Sequence, residues 1–393
     1  MKYSFRIAVV LFLGVLVFST AAGAQFVDPG LTWQTIETPH FRVHFHENSE
    51  GMAQLTAVAA EEAYEWWGEK LDYYPSGKIE VVVIDLQDGP NGFANLVPNN
   101  QFVNFTAYAG FAGGFANSES SSWEEVVTFH EYGHIADLDY VSGLSETFRN
   151  IFGRVIVPGI QEPTLLVEGI PTYGEYLIRG SSRANEPRVS MMLRTMVLEN
   201  NFPTYQEASF YYNRSEWPFP GSISHDVGPW FIRYLEDTYG EETYMMIKKH
   251  QAENPMWAIG SVVGSLIVPG QFAGVSGDFN AIYEQATGKA MPELWTEIKA
   301  WLRTPINEQI QDIEAQGITP SRQLSQWAFF STNSRWSPDG EWLYYTHGGS
   351  PGRFGGIRRI RPGGTDGQAV VSGGFGDLAV TRDGTGFIYV WGG

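Results

Sequence analysis

The 393-residue chain contains no cysteine. That excludes disulfides, thiolate metal ligands and a lipid anchor on an N-terminal cysteine. Cationic side chains are few, 25 Lys and Arg against 44 Asp and Glu, for a formal charge of −19. Such a balance repels nucleic acid and anionic lipid, and no basic cluster or glycine-rich phosphate loop runs against it. Long apolar runs are missing beyond the first residues. There, Lys2 and Arg6 precede an apolar stretch at 7–18, and Ala22-Gly23-Ala24 follows. This is the pattern of a signal peptide spanning 1–24, too short for a membrane span of about 20 apolar residues. The expectation is an exported protein, bacterial periplasmic or secreted, with no membrane span after cleavage. With 43% hydrophobic and 15% aromatic residues the chain can bury a sizeable core without covalent staples.

What is present centres on His130-Glu131-Tyr132-Gly133-His134. Residues i and i+4 of a helix share a face, so both imidazoles can reach one ion, with a carboxylate beside the open coordination position. A chance match is the bland alternative, and Gly133 costs the helix about 1 kcal/mol against alanine. The flank favours a helix: Ser122 is a candidate N-cap with Glu125 three residues on. Thirty-four residues past His134, Glu168 stands in Val-Glu-Gly-Ile-Pro-Thr-Tyr. Two histidines and one carboxylate, with water in the fourth position, form a known catalytic zinc shell. A helix N-terminal carboxylate favoured by the macrodipole is the plainer reading of Glu168.

These motifs resemble the gluzincin, or peptidase MA-like, zinc metallopeptidases. The resemblance implies one Zn2+ held by His130, His134 and Glu168, with Glu131 as the base that takes a proton from metal-held water. The longer spacing from His134 to Glu168 implies an insertion at about 141–163. In that family a Tyr-x-x-Gly turn supplies an oxyanion donor, and His225 stands here where the tyrosine would be. It is expected to donate to the oxyanion, against the alternatives of a plain helix-start residue or lost catalysis. Asp137, one turn past His134, would orient a ligand imidazole. Aminopeptidases of this kind carry Gly-x-Met-Glu-Asn on an edge strand; Gly92-Phe93-Ala94-Asn95 has no acid there. The resemblance therefore implies a peptide or protein substrate but not an aminopeptidase.

Around these motifs, alternation at 41–45 and the apolar run at 78–85 read as strands, with a short strand around 102–108. Residues 52–71 read as a helix, with Leu55, Val58, Ala59, Glu62 and Trp66 near helical spacing. His40, His44 and His46 read as solvated residues rather than as a metal set. A helix at 292–302 uses Leu294, Ile298, Trp301 and Leu302 as its apolar face. The fold class expected is α+β: a zincin-like domain over 25–317, with a small mixed sheet, an active-site helix and a mainly helical half.

Over 320–393 the composition shifts to turns and strands. Trp336-Ser337-Pro338-Asp339-Gly340 and Arg382-Asp383-Gly384 place Asp-Gly turns 44 residues apart. The phrase resembles TolB-like, WD-type β-propeller repeats, implying an all-β segment of one to two blades and a surface for a protein partner. A closed propeller needs about four to eight blades. The expectation is thus a piece of a longer propeller or exposed last strands, with a small β appendage as the alternative. Three functions remain open: zinc peptidase, a catalytically degenerate scaffold that binds proteins, and a zinc hydrolase of non-peptide amides or esters.

Overall fold

The computed structural model describes residues 30–86, 91–96, 99–105, 122–154, 156–179, 183–209, 223–254, 279–325, 331–348, 355–373 and 378–389. The expected signal segment lies outside them. Among the described residues no helix is long and apolar enough to cross a membrane. The architecture is mixed α and β, with several sheets, none closed into a barrel among the described residues.

Five strands form the first sheet: β1 (Trp33–Glu37), β2 (Phe41–His46), β3 (Ile79–Ile84), β4 (Asn91–Asn95) and β5 (Gln101–Phe105), in spatial order β1-β2-β3-β5-β4. The centre is parallel, β2 with β3 and β3 with β5, while β1 and β4 run antiparallel at the edges. Period-two alternation makes one face: Phe41, Val43, Ile79, Val81 and Phe102 are fully buried. The other face is polar, with Arg42 and His44 on β2 reaching Glu80 on β3 at 2.6 and 2.8 Å. The run at 78–85 is therefore covered on one side only.

Helix α1 (Glu50–Leu71) packs on the apolar face. Its inner surface is only in part the one read from the sequence: Ala59 is buried and Trp66 packs partly against the core. Leu55 and Val58 are 47% and 62% exposed, whereas Ala53, Ala57, Ala60, Ala63, Trp67 and Leu71 are buried. Small alanines let α1 sit close to the sheet and to the next helix, so size, not hydrophobicity alone, chose the face. The three early histidines are likewise engaged. His40 Nδ1 lies 2.7 Å from Glu61 Oε2, and His44 takes Glu80 and Thr35. Buried His46 holds Ser49 Oγ at 2.7 Å and accepts from the Asp85 amide.

The helical half follows: α2 (Trp123–Leu138), α3 (Gly143–Phe152), a 3-10 turn (Pro158–Gln161), α4 (Thr164–Arg179), α5 (Pro187–Leu198), α6 (Tyr205–Ser209), α7 (Ile223–Tyr239), α8 (Thr243–Glu253), α9 (Phe279–Thr287) and α10 (Met291–Gln316). The segment between the two metal-ligand candidates is thus α3 plus the 3-10 turn. Helix α10 runs well past the expected 302, through Pro305, and buries Met291, Leu294, Trp295, Ile298, Leu302 and Ile306. Gly317 ends it with φ +86°, a left-handed conformation that suits glycine.

Toward the C-terminus, β6 (Ser331–Trp336), β7 (Leu343–His347), β8 (Gly356–Ile360) and β9 (Gln368–Ser372) make a four-stranded antiparallel meander, and β10 (Leu378–Val380) pairs with β11 (Phe387–Tyr389). Strand β6 ends at Trp336, directly before the first Asp-Gly turn. The two Asp-Gly turns share one hydrogen-bond pattern. The Asp339 carboxylate accepts from Ser337 Oγ and the Glu341 amide, while Ser337 Oγ accepts from the Trp342 amide. Forty-four residues on, Asp383 accepts from Thr381 Oγ1 and the Thr385 amide, and Thr381 Oγ1 accepts from the Gly386 amide. Each is closed by a glycine at φ +71°.

Candidate metal centre

Helix α2 begins with a complete capping box: Ser122 Oγ accepts from the Glu125 amide at 3.2 Å, and Glu125 Oε2 accepts from the Ser122 amide at 3.1 Å. This fixes the helix start seven residues before His130. The helix then runs buried from Val127 to Leu138, so His130, Glu131 and His134 are all withdrawn from bulk water.

Gly133 has a packing reason. A Cβ there would lie 2.9 Å from the Trp67 indole, and a Cβ at Gly174 on α4 would lie 2.4 Å from the same ring. Trp67 is fully buried and donates its indole N–H to the Phe129 carbonyl at 3.1 Å. One tryptophan from α1 therefore sets the spacing of the two helices that carry the ligand candidates. Glycine at 133 costs helix propensity and returns interhelical contact.

Glu168 lies in the second turn of α4, and His225 in the first turn of α7. These helices meet glycine to glycine, since a Cβ on Gly169 would fall 2.8 Å from the Gly228 backbone. The result is convergence on one atom. Glu168 Oε2 lies 2.9 Å from His225 Nε2, 3.4 Å from His134 Nε2 and 3.6 Å from His130 Nε2. The His130 and His225 rings are nearly parallel, with centroids 5.8 Å apart. Burial opposes ionisation of the Glu168 carboxyl, but the charges of His225 and His134, with hydrogen bonds from His130 and His134, hold it well below the usual carboxylate range.

The donor set fits a divalent cation. Two overlapping groups, His130-Glu131-His134 and His130-Glu168-His225, each bring their ligand atoms within 4.8 Å of one another. A tetrahedral zinc with bonds of about 2.0–2.1 Å needs ligand atoms roughly 3.3–3.4 Å apart. The spacings of His130 and His134 from Glu168 are those of ligands around a shared ion. Nitrogen and carboxylate donors without sulfur form a set that several first-row divalent metals accept.

Glu175 is the residue that sequence reasoning missed. Its Oε1 is 2.8 Å from His130 Nδ1, and it is buried. That bond fixes the ring so that Nε2 faces Glu168, the usual arrangement for a metal-binding histidine. The available signal was its spacing: Glu175 is two turns beyond Glu168, on the same face of α4. Asp137 lies elsewhere. Its Oδ1 engages Tyr244 at 2.5 Å and Lys248 at 3.2 Å, and His134 Nδ1 has no hydrogen-bond partner among the described residues.

A cleft of about 460 Å³ opens over these groups. Its walls are Asn91 to Ala94 on the edge strand β4, Trp123, Val126 and Val127 on α2, and Leu138 and Val167 beyond. Among the described residues the outermost strand is thus β4, and β5, at 101–105 near the strand expected around 102–108, lies inside it. Gly92 brings the β4 backbone close to the base candidate, for a Cβ there would fall 2.5 Å from Glu131 Oε1 and from Val127 Cγ2.

No protein-family profile and no curated protein matches this chain. Solved structures do match. One is the crystal structure of Legionella pneumophila aminopeptidase A in complex with aspartic acid, at 12% identity and a TM-score of 0.34. The alignment covers 84% of this chain but only 31% of that one.

Proposed function

We propose that the chain is a zinc-dependent peptidase of gluzincin type. The observation that carries this reading is the meeting of three imidazole nitrogens on Glu168 Oε2, with the Glu131 carboxylate on the same cleft wall. His130, His134 and Glu168 would hold the ion. Bound there, zinc would act as a Lewis acid toward the scissile carbonyl and acidify a water molecule.

The remaining chemistry belongs to the side chains. Glu131 takes the proton of the attacking water on its carboxylate and returns it to the departing amine nitrogen. Buried beside Val127 and the Gly92 backbone, it acts where bulk water does not compete for that proton. His225 donates an N–H toward the oxyanion, in the role the family gives to tyrosine. Glu175 holds the His130 ring. Among the described residues β4 is the outermost strand of its sheet and lines the cleft, a position suited to receive an extended peptide by main-chain pairing. The absence of an acid between Gly92 and Asn95 favours internal bonds over free N-termini.

The four-stranded meander and the repeated Asp-Gly turn support a propeller blade with the start of a second, which would offer a surface for a protein partner. Export to a periplasm or the medium accompanies this reading. Hydrolysis of casein or a peptide library by wild type and Glu131→Gln tests the assignment. Loss of at least about 10³-fold with zinc retained is expected; equal rates in the two proteins would end it. A protein that binds partners but cleaves neither peptides nor small amides would be the degenerate scaffold.

A further inference from the structure

The two ligand-bearing helices also share a second cluster of charges, almost wholly buried. Asp137 on α2, Glu162 just before α4 and Lys248 on α8 are each at most 2% exposed. Lys248 Nζ stands 3.2 Å from Asp137 Oδ1 and makes a short contact with Glu162 Oε1. Tyr244, one turn earlier on α8, donates to Asp137 Oδ1 at 2.5 Å. Asp137 sits three residues past His134 and Glu162 six residues before Glu168. Lys248 therefore pins the end of the HExxH helix to the start of the helix that carries the carboxylate ligand.

The charges do not balance. Two carboxylates and one ammonium leave a surplus negative charge in a dry site, and an uncompensated buried charge costs several kcal/mol. Holding one proton removes the surplus. Burial, then the Asp137 charge, raise the Glu162 carboxyl to about 8 against the pull of Lys248, and Asp137 is positioned to accept a hydrogen bond from the protonated form. Among the described residues the other ionisable groups facing Glu162 are Tyr244 and, from α9, Tyr283; burial keeps both phenols neutral.

We propose that Asp137, Glu162 and Lys248 form a one-proton clasp joining the two ligand-bearing helices, and that losing its proton loosens the metal centre. The first half stands on the buried cluster alone; the second rests on the zinc reading above. Because the carboxyl is raised in the folded state, the stability its proton contributes is complete below about pH 4.5. That stability is lost as pH climbs through about 8.

The test measures thermal unfolding of the metal-free full chain from pH 6 to 10, in wild type and Glu162→Gln, whose clasp is permanently neutral. The Tm of Glu162→Gln should rise relative to wild type as pH increases and level off above about 9; parallel curves overturn the clasp. If that variant does not fold, the infrared carbonyl band of a protonated carboxyl in wild type decides. The band should be present at pH 7 and fade through pH 8 to 9, and its absence at pH 7 overturns the proposal. Zinc affinity should fall between pH 7 and 9 about tenfold more in wild type than in Glu162→Gln; an equal fall overturns the coupling. Zinc binding by neither protein, with the Tm curves still diverging, would remove the metal reading and leave the clasp standing.

Discussion

Gly228→Ala tests whether helix spacing, rather than the ligand residues alone, makes the centre. A Cβ at 228 would sit 2.4 Å from the Leu165 carbonyl oxygen and 2.7 Å from Gly169 Cα, where ordinary contact begins at 3.4 Å. Both neighbours are backbone, so no side chain can swing aside. Helices α4 and α7 must part by something approaching 1 Å. Overpacking of this kind costs about 1–3 kcal/mol, against a propensity gain of about 1 kcal/mol for alanine in a helix. The net expectation is a loss of up to about 2 kcal/mol, read as a lower Tm of the metal-free protein. The functional effect should exceed the stability effect. His225 lies one turn before Gly228, and Glu168 adjoins Gly169, so the same displacement stretches their 2.9 Å contact beyond hydrogen-bond range. Misplacement by about 1 Å can cost on the order of 10²-fold in rate. Unfolding by scanning fluorimetry and kcat on a reporter peptide measure both. A Gly228→Ala protein with raised Tm and unchanged kcat would refute the reasoning, leaving propensity as the only effect of the methyl group.

Other expectations follow from the same contacts. Glu175→Gln keeps an acceptor for His130 Nδ1 but removes its charge, and should weaken zinc binding about tenfold in a chelator competition. Glu175→Leu removes both and should approach 100-fold. His225→Ala should lower kcat on the order of 10²-fold with zinc content unchanged, and an unaltered rate would take this residue out of the mechanism. The depressed Glu168 carboxyl gives a pH dependence of the opposite sign to that of Glu162. Its stabilising charge is present above the ordinary carboxyl range and lost as pH falls through its lower folded value. Metal-free Glu168→Gln should therefore lose less stability than wild type on acidification from pH 5 to 3, as followed by circular dichroism.

Much of the site was legible in the chain because its parts are local. A capping box, an i,i+4 pair of imidazoles and an adjacent carboxylate all lie within thirteen residues, Ser122 to His134, and helical periodicity alone puts the pair on one face. The β2 and β3 strands were readable for the same reason, as was the 44-residue recurrence of the Asp-Gly turn. Three readings failed where size or pairing across the fold decided. The inner face of α1 belongs to alanines and Trp67, which no hydropathy count favours over Leu55 and Val58. His40 and His44 found carboxylates on other elements, and His46 found Ser49 and the Asp85 amide. Asp137, one turn from a ligand, went to Lys248, 111 residues away in sequence.

The linear order of residues thus determined which groups could do chemistry and which helix would present them, since those relations follow from covalent spacing and 3.6 residues per turn. Only the packed chain decided what they would face. Three glycine contacts and one tryptophan set interhelical distances to within a fraction of an ångström. Because interiors are close-packed, those distances choose the partner of every buried charge.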